Sequence, residues 1–139
     1  MPDKYPVKAI DSAGGTLEGE IEAWEESPSD PDQVIVRLQL AGVESEKTAD
    51  DYFSALVAIR VELDAKGIRL MNYGSSLNVY PSPMSRSMGS GEKAYRLSMG
   101  EQAKTADLVS IFETGPDVTP STVQDQEQFY RKWISSLGK

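Results

Sequence analysis

Alternation is the first pattern along the chain. From Thr16 to Trp24, Leu17, Gly19, Ile21 and Ala23 fall on one side and Glu18, Glu20, Glu22 and Trp24 on the other. Successive side chains of a strand point to opposite faces, so this stretch predicts a half-buried strand. A turn cluster follows, Ser27-Pro28-Ser29-Asp30-Pro31-Asp32. A second strand is expected from Gln33 to Ala41, with Val34, Val36, Leu38 and Leu40 on its core side. The simplest pairing is an antiparallel hairpin, which lets Arg37 and Gln39 meet the glutamate side of the first strand. Residues 1–15 show no such pattern and read as a lead-in, punctuated by Asp11-Ser12-Ala13-Gly14-Gly15.

The period then changes. Tyr52, Leu56, Ile59 and Leu63 recur at helical spacing, and Phe53 and Val57 widen the stripe. Thr48, with Asp51 three residues on, resembles a capping box and is the expected start; Gly67 is the expected stop. Alternation returns at Ile68 to Tyr73, Leu77 to Tyr80, Lys93 to Ser98 and, briefly, Leu108 to Phe112. A last helix is expected after Thr119-Pro120-Ser121, with Thr119 or Ser121 as cap. Its inner stripe is predicted as Val123, Glu127, Tyr130, Ile134 and Leu137, with Phe129 and Trp133 beside it. Strands and helices do not alternate one by one. The order therefore predicts an α+β fold: a mostly antiparallel sheet of about five to six strands with two helices on one face. No repeat or linker divides residues 1–139, so a single domain is expected.

Composition narrows the chemistry. The sequence contains no cysteine and no histidine. Disulfides, thiolate metal sites, cysteine nucleophiles and histidine bases are thereby excluded. No dense Asp/Glu spacing points to a carboxylate metal site, and no cofactor motif is present, so neither metal nor cofactor is expected. The net charge is −8. That charge repels nucleic-acid phosphates and steers a basic protein toward the chain. No stretch approaches the roughly 20 apolar residues of a membrane span, and the first residues lack a signal-peptide core. The expectation is a cytoplasmic protein that binds neither nucleic acid nor membrane.

Three places merit attention as sites. One is VYPSPMSRSMGSGEKAY, Val79 to Tyr95. Ser82-Pro83 reads as a cap followed by proline at the first helical position, and Met84 and Met88 share one face of a short helix. The structural expectation is a helical crossover between two strands, stapled to the core by its methionines. The functional one is a pocket: Ser82, Arg86 and Lys93 around an anion, with Tyr80 and Tyr95 as walls. Gly89-Ser90-Gly91-Glu92-Lys93-Ala94 does not match a phosphate loop, because Lys93 follows no glycine and Ala94 replaces the hydroxyl residue. A second place is the row Glu18, Glu20, Glu22, either a solvated outer face defended by charge or a docking surface for a cationic partner. The third is Tyr130-Arg131-Lys132-Trp133, with the cations in solvent and Trp133 packed inward. None of these is a catalytic signature.

The run LNVYPSPMSRSMGSGEKAYRLSMGEQAKTADLVSIF, Leu77 to Phe112, resembles a pattern in small uncharacterised bacterial proteins. There a Tyr-Pro-containing Met-Ser-Arg-x-Met-Gly turn precedes a Lys-Ala-Tyr strand, a polar gap and a Leu-Val-x-Ile-Phe strand. The resemblance implies a setting of bacterial toxin–immunity neighbourhoods, in which a small acidic protein binds and blocks a partner. It carries no catalytic residues. The expected function is thus a non-enzymatic, immunity-type inhibitor that docks on a basic partner protein. Glu18, Glu20 and Glu22 would supply attraction and Tyr80, Arg86 and Tyr95 the contacts. The rivals are a small-ligand or anion-binding domain using the crossover, an enzyme relying on Tyr, Lys, Arg and carboxylates, and a structural subunit of an assembly.

Overall fold

Alternating side chains build the larger sheet. In the computed structural model, which describes residues 1–138, five strands lie in the order β4-β3-β2-β1-β5 with every pair antiparallel. They are β1 (Asp3–Ile10), β2 (Thr16–Trp24), β3 (Val34–Leu40), β4 (Val43–Ala49) and β5 (Arg69–Leu70). The expected hairpin is β2–β3, with Ile21 opposite Leu38 and Glu22 opposite Arg37. Val7, Ala9, Ile21, Ala23, Val34, Val36, Leu38 and Leu40 are buried on the inner face.

Two strands escaped the pattern. The lead-in is in fact β1, paired along its length with β2. Lys4, Pro6 and Lys8 alternate with Tyr5, Val7 and Ala9, but only Val7 and Ala9 are buried, so the apolar signal is short. The other is β4, turned back from β3 at Ala41-Gly42 over residues where the pattern predicts no strand and Thr48 is expected to open a helix. Its inward positions include Ser45 and Lys47, which hide the alternation.

The first helix, α1 (Tyr52–Asp64), packs on β3 and β4. Thr48 lies in β4, so Asp51 is the cap, accepting from the Ser54 N–H at 2.8 Å. Leu56, Ile59 and Leu63 are essentially inaccessible. Burial of each such side chain contributes roughly 1.5–3 kcal/mol. The chain leaves α1 through Gly67, as expected, with the Ile68 N–H returning to the Leu63 carbonyl at 3.0 Å.

Beyond α1 the fold changes character. A second, three-stranded antiparallel sheet, β6-β7-β8, is made of β6 (Val79–Tyr80), β7 (Lys93–Arg96) and β8 (Leu108–Ser110). A 3-10 turn, Tyr73–Ser75, runs under it, and Gly74 there sits so close to α1 that a Cβ would lie 2.6 Å from Leu56 Cδ2. Two helices complete the fold: the six-residue α2 (Pro83–Met88) between β6 and β7, and α3 (Val123–Leu137). The result is α+β, with the strands divided between two sheets. Among the described residues no helix is long and apolar enough to cross a membrane.

The expected inner stripe of α3 is shifted. Thr122, rather than Thr119 or Ser121, is the cap, and the only fully buried residue of the helix is Gln126. Glu127 and Ile134 face outward, Ile134 at 47% exposure. Gln126 enters a wholly buried hydrogen-bond cluster with Arg60 of α1. Arg60 donates to Gln126 Oε1 (2.6 Å) and to the carbonyls of Gly74 and Ser121 (both 3.1 Å). Gln126 Nε2 lies within hydrogen-bond distance of the carbonyls of Gly74, Ser76 and Val79. Irregular backbone in a core needs partners for its carbonyls, and these two side chains supply them. The acceptors of Arg60 are neutral oxygens, so burial pushes the guanidinium down to about 10 against the opposing pull of Asp64 and Tyr80. It remains charged at neutral pH.

Candidate functional site

The crossover from Tyr80 to Tyr95 is the best-defined candidate, and its geometry inverts one expectation. Ser82 caps α2 as predicted, accepting from the Ser85 N–H at 3.0 Å, with Pro83 first in the helix. The methionines, however, are not core staples. Met84 is 69% and Met88 82% exposed, and α2 has no buried residue. The staple is Arg86. Its guanidinium bonds Ser54 Oγ at 2.6 Å, reaches Asp51 Oδ2 at 3.5 Å and lies over the Phe53 ring. Asp51 is 6% exposed, so Arg86 supplies the counter-charge for the cap of α1.

The glycine-rich end of the crossover completes the clasp. The Ser90 carbonyl accepts from the Tyr52 N–H, one of the free donors at the start of α1, at 2.7 Å. Ser90 and Gly91 both take left-handed backbone angles (φ 59° and 70°), and a Cβ on Gly91 would lie 2.8 Å from Asp51 Oδ1. A compact left-handed turn is what brings this carbonyl to the helix. The Ser85 hydroxyl donates to the Lys93 carbonyl, joining α2 to β7. Six residues of helix are therefore held by polar bonds on one side while their apolar side chains face solvent.

Beside α2 lies a groove. Tyr80 and Tyr95 stand opposite each other on β6 and β7. With Pro81, Ser82, Tyr130 and Trp133 they line a cavity of about 300 Å³ that no charged side chain lines. Tyr80 stacks on Tyr130 at 4.0 Å with the rings 10° from parallel, and Tyr130 is followed by Trp133 at 6.1 Å. Phe53 meets the other side of Tyr80 edge-on at 5.0 Å. Burial, then the neighbouring Tyr80, raises the Tyr130 hydroxyl above its ordinary value. Trp133 donates its indole N–H to the Glu101 carbonyl at 3.0 Å, so it is half-packed, as a wall of the groove. Arg131 and Lys132 are in solvent as expected.

The structure thus brings together Tyr80, Ser82 and Tyr95 and leaves the proposed anion cations elsewhere. Arg86 is paired with Asp51, and Lys93 is exposed and outside the groove lining. Tyr130 and Trp133 belong to the site but are distant in sequence; the YRKW run was the only signal for them.

The glutamate row lies on the outer face of the larger sheet, and the fold neutralises much of it. Lys4, Glu22, Arg37 and Glu46 form one cross-strand row of alternating sign through four strands. Its ion pairs are Lys4–Glu22 at 3.9 Å, Arg37–Glu22 at 3.4 Å and Arg37–Glu46 at 3.2 Å. Glu18 faces Lys8 at 3.9 Å. Glu20, opposite Pro6 and Gln39, is without an ion pair among the described residues. None of the three lines the aromatic groove. A third cluster, Tyr73–Asp117–Arg96, clips the segment before α3 to the small sheet. Tyr73 donates to Asp117 at 2.7 Å and Arg96 at 3.2 Å; these bonds hold the Asp117 carboxyl below its usual range.

No protein-family model matches the chain, and no curated protein matches it significantly. Among the described residues there is no group of three or more acidic side chains placed to hold a metal ion.

Proposed function

We propose that this is a non-enzymatic binding protein of immunity type, acting in the cytoplasm, that docks on a basic partner protein through the crossover. The observation that carries this is the inverted α2: Met84 and Met88 are displayed beside an aromatic groove on a helix anchored from behind by Arg86. A helix already held in place spares the backbone-ordering cost of binding, leaving only the rotamer entropy of the side chains that are covered. Methionine, tyrosine, tryptophan and arginine are also the residues enriched at such contacts. The net charge of −8 supplies long-range attraction for a basic surface, while the self-paired glutamate row contributes less than its sequence suggests.

The test compares wild-type protein with Met84→Asp/Met88→Asp in capture from native lysate at low and high salt. One basic protein held by wild type, released by salt and lost in the variant supports the reading. Equal capture by both proteins moves the contact away from the crossover.

A second reading rests on the groove itself. About 300 Å³ walled by Tyr80, Tyr95, Tyr130 and Trp133 suits a small neutral ring-bearing ligand, not an anion. A ligand that binds only the native state raises the melting temperature. A screen of neutral aromatic compounds that moves the wild-type midpoint, and does not move that of Tyr95→Ala, favours this reading over the protein contact.

A further inference from the structure

The molecule ends its two sheets on four edge strands, and three of them are too short to template another chain. β5 and β6 have two residues each and β8 has three. β4 is different. It runs seven residues, Val43–Ala49, pairs with β3 on one side only, and keeps an unbroken register without bulge or proline. Natural sheets blunt such edges with shortness, bulges, proline, a covering element or charge, and β4 carries only the last, in Glu44, Glu46 and Lys47. Here the inward charge, Lys47, is tied to Glu62 of α1, which also accepts from Ser45. The edge backbone therefore stays open.

The side chains on either face of this edge state what fits. On the outer face Glu44 and Glu46 are exposed, next to Gln39 and Arg37 of β3. Two copies of β4 laid antiparallel with their midpoints opposed would set Glu46 against Glu46, so that full-length register disfavours a second copy of this chain. On the inner face α1 turns Glu62 over β4, with Ala58 one turn before it on the same flank. We infer that β4 receives an extended segment of a partner protein as an added strand. In that segment lysine or arginine alternates with small apolar residues, the cations over Glu44 and Glu46 and the small residues beside Ala58. Main-chain bonds provide the affinity and the alternate side chains the specificity. This contact goes beyond the crossover reading and involves none of its residues.

The probe is an acetylated and amidated peptide of β4's own length that alternates lysine and valine, titrated into isotope-labelled protein. The amide signals of residues 43–49 are expected to shift and their hydrogen exchange to slow. Glu44→Lys/Glu46→Lys is expected to weaken binding by about tenfold, since each exposed pair is worth only a fraction of a kcal/mol and reversal turns attraction into repulsion. A peptide of the same charge, N-methylated at alternate residues on its bonding edge, is expected not to bind. The inference is overturned if the β4 amides gain no protection. It is equally overturned if the methylated peptide binds as tightly, which is attraction by charge alone, or if the lysine variant binds unchanged. Met84→Asp/Met88→Asp should leave this titration unaltered, so the two surfaces fail or succeed separately.

Discussion

The two halves of the molecule are held together by different forces. In the larger sheet with α1, inward positions are filled mostly by Val, Ile, Leu and Ala, with Ser45 and Lys47 of β4 the polar exceptions, and the hydrogen bonds are regular ladders and helix turns. In the half built from the 3-10 turn, the small sheet and α3, the strands are short and the middle is polar. Arg60 and Gln126 there satisfy carbonyls of irregular backbone. Among the described residues, that half also holds every buried side chain without a hydrogen-bond partner: Asn72, Ser75 and Ser110. Apolar burial tolerates small adjustments of shape, whereas a buried polar cluster fails as a unit when one member is removed. The second half is thus the more specific and the more brittle.

Removing Arg60 is the strongest way to break this comparison. Arg60→Ala strands the Gln126 and Ser121 oxygens and is expected to cost about 3–5 kcal/mol in chemical denaturation. Ile21→Ala in the larger sheet should cost about 2–5 kcal/mol. The two differ in where the loss appears. Arg60→Ala should drop amide protection in β6 and α3 first, leaving β2 and β3 protected, whereas Ile21→Ala should lower protection everywhere. Uniform loss in both would mean the halves unfold as one.

Next in size is Arg86→Ala, expected to cost about 1–2 kcal/mol by leaving the nearly buried Asp51 without its counter-charge. Amide protection should fall across α2 and the first turn of α1 and persist in α3.

Alkaline pH sharpens the contrast further. Burial, then Glu25, Asp3 and Glu92, pushes Tyr52 up to about 12. A phenol that holds its proton more tightly in the folded state adds stability that is fully present below its unfolded value of about 10 and is lost as pH rises through about 12. Denaturation midpoints of wild type should therefore fall across that window, and those of Tyr52→Phe should fall less. Parallel curves would remove Tyr52 from the account.

The smallest effect expected is from Glu18→Gln/Glu46→Gln on the outer face: within about 0.5 kcal/mol, because these two carboxylates are solvent-exposed and exposed pairs contribute little. A larger loss would show that the cross-strand charge row is structural.

Legibility followed the same division. The β2–β3 hairpin and the body of α1 were readable because their apolar residues keep the strand or helix period. β1 and β4 were not, because half the inward positions of β4 are polar and only Val7 and Ala9 of β1 are buried. The stripe of α3 was misjudged for a related reason. A glutamine sits at its innermost position, and a period search built on apolar residues passes over it. For the crossover, the cap and the proline were local features and were legible. The outward turn of Met84 and Met88 was not, since it depends on Asp51 and Ser54, some thirty residues away in the chain.

By itself, then, the sequence determined what local physics decides: an α+β chain, acidic, without histidine or cysteine, with the cap of α2, the Gly67 stop and the apolar periods of β2, β3 and α1 in place. Tertiary structure decided which charges remain free. It paired Arg86 with a helix cap, paired two of three glutamates with Lys4, Lys8 and Arg37, and assembled a groove from Tyr80, Tyr95, Tyr130 and Trp133. Those outcomes depend on distances between residues far apart in the chain, and periodicity, which compares only near neighbours, contains no information about them.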